Sequence, residues 1–547
     1  MTDVIETDFI IVGGGSAGCV LANRLSADGA QVLLIEAGGR DSDPWIKIPL
    51  VWMRKFVDEG LHDWGYKSGP EPFADNRLIE CVRARVLGGC SSVNAMGYVR
   101  GSPGDYDRWA SKGLPGWSFA DILPYFKRCE SWEGGEDAYR GGSGPLHVRT
   151  GSYDDPLLEP VLTASAAAGL PTTPDYNGAQ NIGVGKSQQT IKDGRRWSAA
   201  DAFLRPALSR SNLKLQLNAL VTRIVIRDGR AVGVRYEANG QEVEARAGRE
   251  VILSAGAINS PQLLMLSGIG PADHLREHSI QVVHDASGVG ENLQDHIASG
   301  VDYERTQSGL FRDTLRADRV AVNIPRAYLT GTGPATDFPG GLNGFAKTNP
   351  SEVVPDIQLL YSFVPRFAHV WFPGIKPAWV DSFGCRAVLL HPESRGKVEL
   401  ASPDPKERVR LRQNFFAVDA DLAKLRKGIR YTNDIFMQSV LDRHRGAARL
   451  SPAEVADDDA LNAHIRKTCT TVHHPCGTCR MGSDEGAVVD GSLKLRGIDN
   501  LRVVDASVMP DLVSGNIHAA VLMIAEKAAD LILGKSPPSP VTVGGTP

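Results

Sequence analysis

Three glycines in the order Gly13-x-Gly15-x-x-Gly18 lie between a short apolar run, Asp8–Val12, and a segment, Ser16–Leu25, whose apolar residues recur at helical spacing. A second apolar run, Gln31–Ile35, follows and ends at Glu36. A glycine cluster alone is a weak signal. Strand, glycine turn, helix, strand and closing acid together make a dinucleotide-binding fingerprint. Gly13 permits the tight turn, Gly15 lets backbone approach a pyrophosphate, and Gly18 allows close packing of helix on strand. The helix N-terminus, with Ser16 and Ala17 in its first turn, offers unpaired N–H groups and partial positive charge to the phosphates. Glu36, followed by Ala37, accepts from ribose hydroxyls and repels a 2′-phosphate, which disfavours NADP. No second fingerprint follows a strand elsewhere, so a separate NAD(P)H site is not expected.

The rest of the chain narrows the class. Its 547 residues, 42% hydrophobic, suffice for more than one core. A net charge of −4, with acids and bases mixed, excludes the basic face that nucleic acid requires. Met1–Phe9 carries Asp3, Glu6 and Asp8 and no apolar h-region, so no secretory signal is read and a cytoplasmic location is expected. The most apolar stretch, Ala519–Leu533, is interrupted by Glu526, Lys527 and Asp530 and reads as an amphipathic helix, not a membrane span. Cys476 and Cys479 form a C-x-x-C pair, but no second pair lies at zinc spacing. They read as packed thiols, with no metal site.

Short strands are expected at Leu213–Leu217, Val221–Ile226, Ala231–Tyr236, Glu242–Ala245 and Val251–Leu253, with Asp228-Gly229 and Asn239-Gly240 as turns. The segment Ile48–Asp107 reads as an irregular structured region, and Asp302–Val455 as mixed strand and helix facing a substrate. The Pro/Gly/Ser-rich tail, 536–547, reads as disordered.

Four further blocks carry a family resemblance. The first is Arg83-Ala-Arg85-Val-Leu-Gly88-Gly89-Cys90-Ser91-Ser92-Val93-Asn94, with Tyr98-Val-Arg100-Gly101 after it. The second is Ser254-Ala-Gly256-Ala-Ile-Asn-Ser260-Pro261, and the third Gly288-Val-Gly290-Glu-Asn292-Leu-Gln294-Asp295-His296. The fourth pairs His474-Pro475-Cys-Gly477-Thr478-Cys-Arg480 with Asp505-Ala506-Ser507 and Gly515-Asn516-Ile517-His518. In order and spacing the chain resembles the glucose–methanol–choline (GMC) oxidoreductases, among them choline-dehydrogenase-like and aryl-alcohol-oxidase-like members.

The resemblance implies an α/β plus α+β architecture. A Rossmann-like FAD-binding domain would be assembled from discontinuous segments, 1–155, 205–300 and 465–535. A substrate-binding domain of antiparallel sheet and helices would use 156–204 and 301–464. By the same likeness Arg85, Gly88, Gly89, Asn94, Ala95 and Met96 lie along the flavin, and Val221 holds the adenine. Ala255 and Gly256 join that site, with Asp505 and Ala506 near the ribityl chain and pyrophosphate. Relatives resembling choline oxidase carry a flavin-linked histidine at the place of Val93. Valine cannot form that bond, so dissociable FAD is expected.

Oxidising an alcohol needs a base for the hydroxyl proton and an acceptor for the hydride, tasks suited to neutral imidazole and flavin N5. The resemblance puts the base at His474 and a second hydrogen-bonding residue at His518, whose place before a helix keeps it neutral. His473 is expected to point away from its neighbour and line or pack the pocket, and His391 matches a substrate-contacting histidine of choline-oxidase-like enzymes. The expected reaction is oxidation of a primary alcohol, a small aromatic or uncharged hydroxymethyl compound, with oxygen or an electron carrier as final acceptor. Choline fits less well, because Gly340–Phe345 supplies no acid for a quaternary ammonium. A non-redox lyase that keeps FAD as structure is the alternative.

Overall fold

The computed structural model describes residues 5–543. The chain opens with β1 (Ile5–Val12), α1 (Ser16–Ala27) and β2 (Val32–Ile35), as the fingerprint requires. Next come β3 (Leu213–Gln216), β4 (Ala219–Arg227), β5 (Arg230–Ala238), β6 (Gln241–Leu253) and α2 (Gly256–Leu266). The second half supplies β7 (Ile297–Arg305), β8 (Leu342–Ala346), β9 (Ile357–Ser362), β10 (Ser382–Leu389) and α3 (Asp419–Phe436). It closes with β11 (Leu501–Val503) and α4 (His518–Ile532).

One sheet runs β3-β2-β1-β6-β5-β4, with β11 also on β6. β3, β2, β1, the end of β6 and β11 are mutually parallel, while β4, β5 and the start of β6 form an antiparallel meander. Phe9–Val12 and Val32–Ile35 are buried without alternation, as strands covered on both faces must be. From β1 the chain moves outward to β2 on one side and returns through β6 on the other. The parallel strands therefore diverge at their carboxyl ends between β1 and β6, where ligands of such sheets sit. The two strands expected at Glu242–Ala245 and Val251–Leu253 are one, β6. Its first part pairs with β5 and its second with β1, and the polar residues between them span the handover.

The second sheet is antiparallel, in the order 445–448, β7, β10, β9, β8, 183–186, with Thr470–Thr471 added to β7. Alternation decides its faces. Val301, Leu359 and Ala387 point into an apolar core with Leu425 and Ile429 of α3, and α3 comes close enough that a Cβ on Gly428 would meet Ile357. Gly300, Leu360 and Arg386 face the other way, onto the cavity.

The two apolar cores follow the two sheets but not every expected boundary. Ala199–Leu204 pack in the first core although placed with the substrate part, whereas Ile297, Ile465 and Cys469 pack in the second. The helix read as amphipathic, α4, is buried on all sides. Glu526 and Asp530 pair there with Arg24 and Arg128, and Lys527 lies over the rings of Trp117 and Tyr125. Part of the expected disordered tail is docked: Val541 donates its N–H to Ala120 and packs with Val543 on the first core, and 544–547 lie outside the described residues. Cys476 and Cys479 are free and buried. Among the described residues no helix is long and apolar enough to cross a membrane.

Candidate active site

A cavity of about 1320 Å³ opens at the carboxyl ends of β1 and β6 and continues to the exposed face of the second sheet. Ordinary small-ligand pockets hold roughly 300–1,000 Å³, so this one has room for a dinucleotide and a second molecule. Its nucleotide end is built by glycines. Gly13 (φ 103°) turns so tightly that a Cβ would strike the Ser254 carbonyl. Gly89 (φ 54°) approaches Gly15 until an added Cβ would lie 2.8 Å from its Cα. The fingerprint loop and the Gly88–Asn94 loop thus meet backbone to backbone, and their edges line the cavity.

The polar groups there are oriented but incompletely partnered. Glu36 accepts from the Gly14 N–H at 2.8 Å and the Gly38 N–H at 2.7 Å, one on each oxygen. Each oxygen keeps a further lone pair, and burial pushes the carboxyl above its usual range. Asp505 accepts from the Gly256 N–H and the Ser260 hydroxyl, fixing the start of α2. The Ser254 hydroxyl and His518 Nε2 are buried on the cavity wall with no partner. Such orphans call for a polar ligand. Together with an α1 N-terminus free of acidic residues, they fit the phosphates and sugars of a dinucleotide.

Ala37, Asn94, Ala95, Val221, Ala255 and Ala506 line this end, as do Gly13, Gly15, Ser16 and Ala17. Four residues expected beside the cofactor do not. Gly18 packs against the Gly13 carbonyl, which is helix–strand packing. Gly88 (φ 85°) serves the loop's left-handed turn, and Met96 is fully buried. Arg85 is exposed on the outer surface, over the Trp64 ring at 4.7 Å.

The other end is organised around His474, which is buried. Its backbone N–H donates to Asp295 Oδ1 at 2.8 Å, and Asp295 Oδ2 accepts from the Thr471 hydroxyl at 2.6 Å, so one carboxylate holds the loop at both places. Its ring lies between two partners. Nδ1 is 2.9 Å from Nδ1 of His296, and Nε2 is 3.2 Å from the Asn516 amide nitrogen.

The proton positions follow from the outer partners. His296 Nε2 is 3.0 Å from the Leu390 carbonyl, which can only accept, so that nitrogen carries the hydrogen. His296 Nδ1 is then an acceptor, and His474 Nδ1 donates to it. His474 Nε2 is left with a bare lone pair, toward which Asn516 directs an N–H. Asn516 is itself oriented, its carbonyl oxygen 3.3 Å from the Gln358 amide nitrogen. Burial, with His296 and Arg83 nearby, holds the His474 ring well below the usual imidazole range. The result is a neutral imidazole, on the cavity wall, whose unprotonated Nε2 lies beside the Asn516 amide.

Of the residues around His474, Asn516 contacts its ring directly. His518 starts α4 and lines the same cavity, its Nδ1 3.1 Å from the Ser16 hydroxyl at the fingerprint and its Nε2 on the wall. Burial with Arg196 nearby pulls it down to about 4. His473 does line the cavity, but its backbone is left-handed (φ 65°) instead of extended, so both neighbours reach the wall. Its carbonyl accepts from Arg83, and burial pulls its ring to about 3. His391 is not brought to the cavity. Its Nε2 is 3.0 Å from the Ser514 hydroxyl, in a cluster with Arg108 and Asp105 behind the site. His296, Asp295 and Gln358 were not anticipated as functional. The run Gln294-Asp295-His296 stood in the third motif, but only the pairing of β7 with Thr470–Thr471 shows why.

Comparison with known proteins identifies the family. The N- and C-terminal regions of GMC oxidoreductases match residues 7–298 and 392–525. An oxygen-dependent choline dehydrogenase from Rhizobium etli is 43% identical over 541 residues, covering 97% of this chain and 96% of that protein. The crystal structure of pyridoxine 4-oxidase from Mesorbium loti superposes with a TM-score of 0.85 at 32% identity, covering 96% and 98% of the two chains. A formate oxidase variant from Aspergillus oryzae RIB40, studied for FAD modification, gives 0.89 at 28% identity over 98% and 99%. Matched along almost its whole length, the chain belongs to the GMC oxidoreductase family.

Proposed function

We propose that this protein oxidises a primary alcohol to the aldehyde, with FAD bound in the cavity and His474 as the base. The observation that carries the reading is the bare Nε2 of His474 beside the Asn516 N–H, both on the wall of a cavity whose other end is a glycine-lined dinucleotide cradle. The relatives named as choline dehydrogenase and pyridoxine oxidase support CH–OH chemistry, and none of these similar proteins is a lyase.

An alcohol hydroxyl entering the site accepts from the Asn516 amide and donates to His474 Nε2. That orients the carbinol carbon and places its proton on a hydrogen bond to the base. His474 then takes the proton, and the His296–Leu390 chain holds the ring in the tautomer that can do so. FAD, when bound, supplies the acceptor for the hydride that leaves the carbinol carbon.

In the same reading the parallel sheet with β1, α1 and β2 is a Rossmann-like FAD domain and the antiparallel sheet is the substrate domain. Glu36 meets the adenosine ribose, and the α1 N-terminus and His518 meet the pyrophosphate region. Val93 lies on the cavity wall and offers no nucleophile, so the flavin is held non-covalently. Oxygen or an electron carrier reoxidises it. The experiment is His474→Ala: FAD content should be kept while anaerobic flavin reduction slows at least about a hundredfold, the scale of a lost general base. An equal rate in variant and parent removes His474 from the mechanism.

A further inference from the structure

We infer that Arg386 forms an anion subsite, and that the alcohol this enzyme takes carries a carboxylate or similar anionic group at the end remote from its hydroxymethyl carbon. The inference rests on the proposed alcohol oxidation and names the class of its substrate.

Arg386 sits on β10, on the face of the second sheet that forms the cavity wall. Register fixes how far it lies from the chemistry. Gln358, which orients Asn516, is opposite Val388, and Leu360 is opposite Arg386. Arg386 is therefore two residues along the same face, a step of about 7 Å. Its neighbour on β7 is Gly300, which has no side chain to cover it. Among the described residues its one hydrogen bond runs from Nη2 to the Thr470 hydroxyl at 2.8 Å, four residues before His474. Nε and Nη1 donate to nothing among the described residues, and no carboxylate lies within 4 Å of the guanidinium.

A half-buried guanidinium whose nearest acids, Glu80 and Asp302, lie beyond ion-pair distance is costly unless something closer supplies a counter-charge. Here desolvation and the like charge of Arg366 pull Arg386 down to about 10. Arg366 lines the same wall, with Glu80 at 3.8 Å as a loose partner. Asp302 is one further step along the sheet, opposite Gly384, with Arg449, Arg386 and His464 among its charged neighbours. Between that rim and the catalytic pair the wall presents a planar fork of unused N–H donors, the geometry that recognises a carboxylate. A hydroxymethyl arene with a para carboxylate is about as long as that step along the sheet.

The experiment uses the FAD-loaded enzyme and two readouts. Calorimetric titration compares benzoate with neutral benzamide, and anaerobic flavin reduction compares 4-(hydroxymethyl)benzoate with benzyl alcohol. The parent should favour the anion in both. In Arg386→Met the anion-to-neutral ratio should fall about 30-fold, the scale of a desolvated charge-assisted hydrogen bond. Arg386→Lys, which keeps the charge but loses the fork, should retain part of it. Absence of anion preference in the parent, or a ratio unmoved in Arg386→Met, overturns the subsite while leaving alcohol oxidation standing. Benzoate binding that depends on Arg386, in an enzyme whose flavin no alcohol reduces, supports the subsite and defeats the reaction.

Discussion

His296→Leu tests the proton assignment at the centre of the site. The His474 ring is pinned because His296 spends its one hydrogen on the Leu390 carbonyl and offers a lone pair to His474 Nδ1 at 2.9 Å. Leucine fills similar space but accepts nothing, leaving a buried N–H without a partner. That costs about 1–3 kcal/mol. The ring recovers it by moving its hydrogen to Nε2, which blocks the nitrogen that must act as base. At about 1.4 kcal/mol per tenfold, the reactive tautomer should be depleted and flavin reduction slowed about 10- to 100-fold. Anaerobic stopped-flow reduction at saturating alcohol measures this, with FAD absorbance per protein confirming that the cofactor is retained. His296→Gln, which restores an acceptor, should recover part of the rate. A His296→Leu enzyme reduced within about twofold of the parent would refute the tautomer argument.

Other predictions follow the same geometry. Asn516→Ala should slow flavin reduction about tenfold or more by removing the N–H beside Nε2, whereas His518→Ala should lower FAD retention, measured by absorbance after dialysis. The reverse pattern would restore His518 as partner of the base. Because His474 is held well below the usual imidazole range, reduction rates should stay level between pH 8 and 6. An inflection near 6.5 would contradict this. Stability should move with pH: His296 and His473 are pulled to about 3 and His518 to about 4, so below 6.5 the unfolded chain binds protons that the fold refuses. Stability is therefore lost as pH falls from about 6.5 toward 4, read as a lower Tm at pH 5 than at pH 7. Gly89→Val should abolish FAD binding, because its side chain would enter the Gly15 backbone; an unchanged flavin spectrum would contradict that.

Local patterns carried much of the architecture. The turn at Gly13–Gly18 and the acid at Glu36 are dictated by short-range sterics, so the first strand, helix and strand were readable from spacing alone. Polar residues misled where tertiary pairing overrides composition. The charged middle of β6 divided one strand into two in the sequence pattern, and Glu526, Lys527 and Asp530 looked like the polar face of an amphipathic helix until Arg24, Arg128 and Trp117 supplied partners. In Gly515-Asn516-Ile517-His518 the imidazole is the more familiar proton carrier, but α4 starts at residue 518 and directs that ring to Ser16. Asn516, two residues before the helix, turns to His474. Arg386 carries no motif at all. Its role depends on which strands pair and in what register, and on a glycine opposite it, which no local spacing encodes.

The most direct test mixes the FAD-loaded protein with a panel of primary alcohols in the absence of oxygen. The yellow oxidised flavin should bleach with at least one alcohol, in a single turnover that yields the matching aldehyde and fails in His474→Ala. A flavin that stays yellow with every alcohol, or bleaches equally well without His474, would contradict the account.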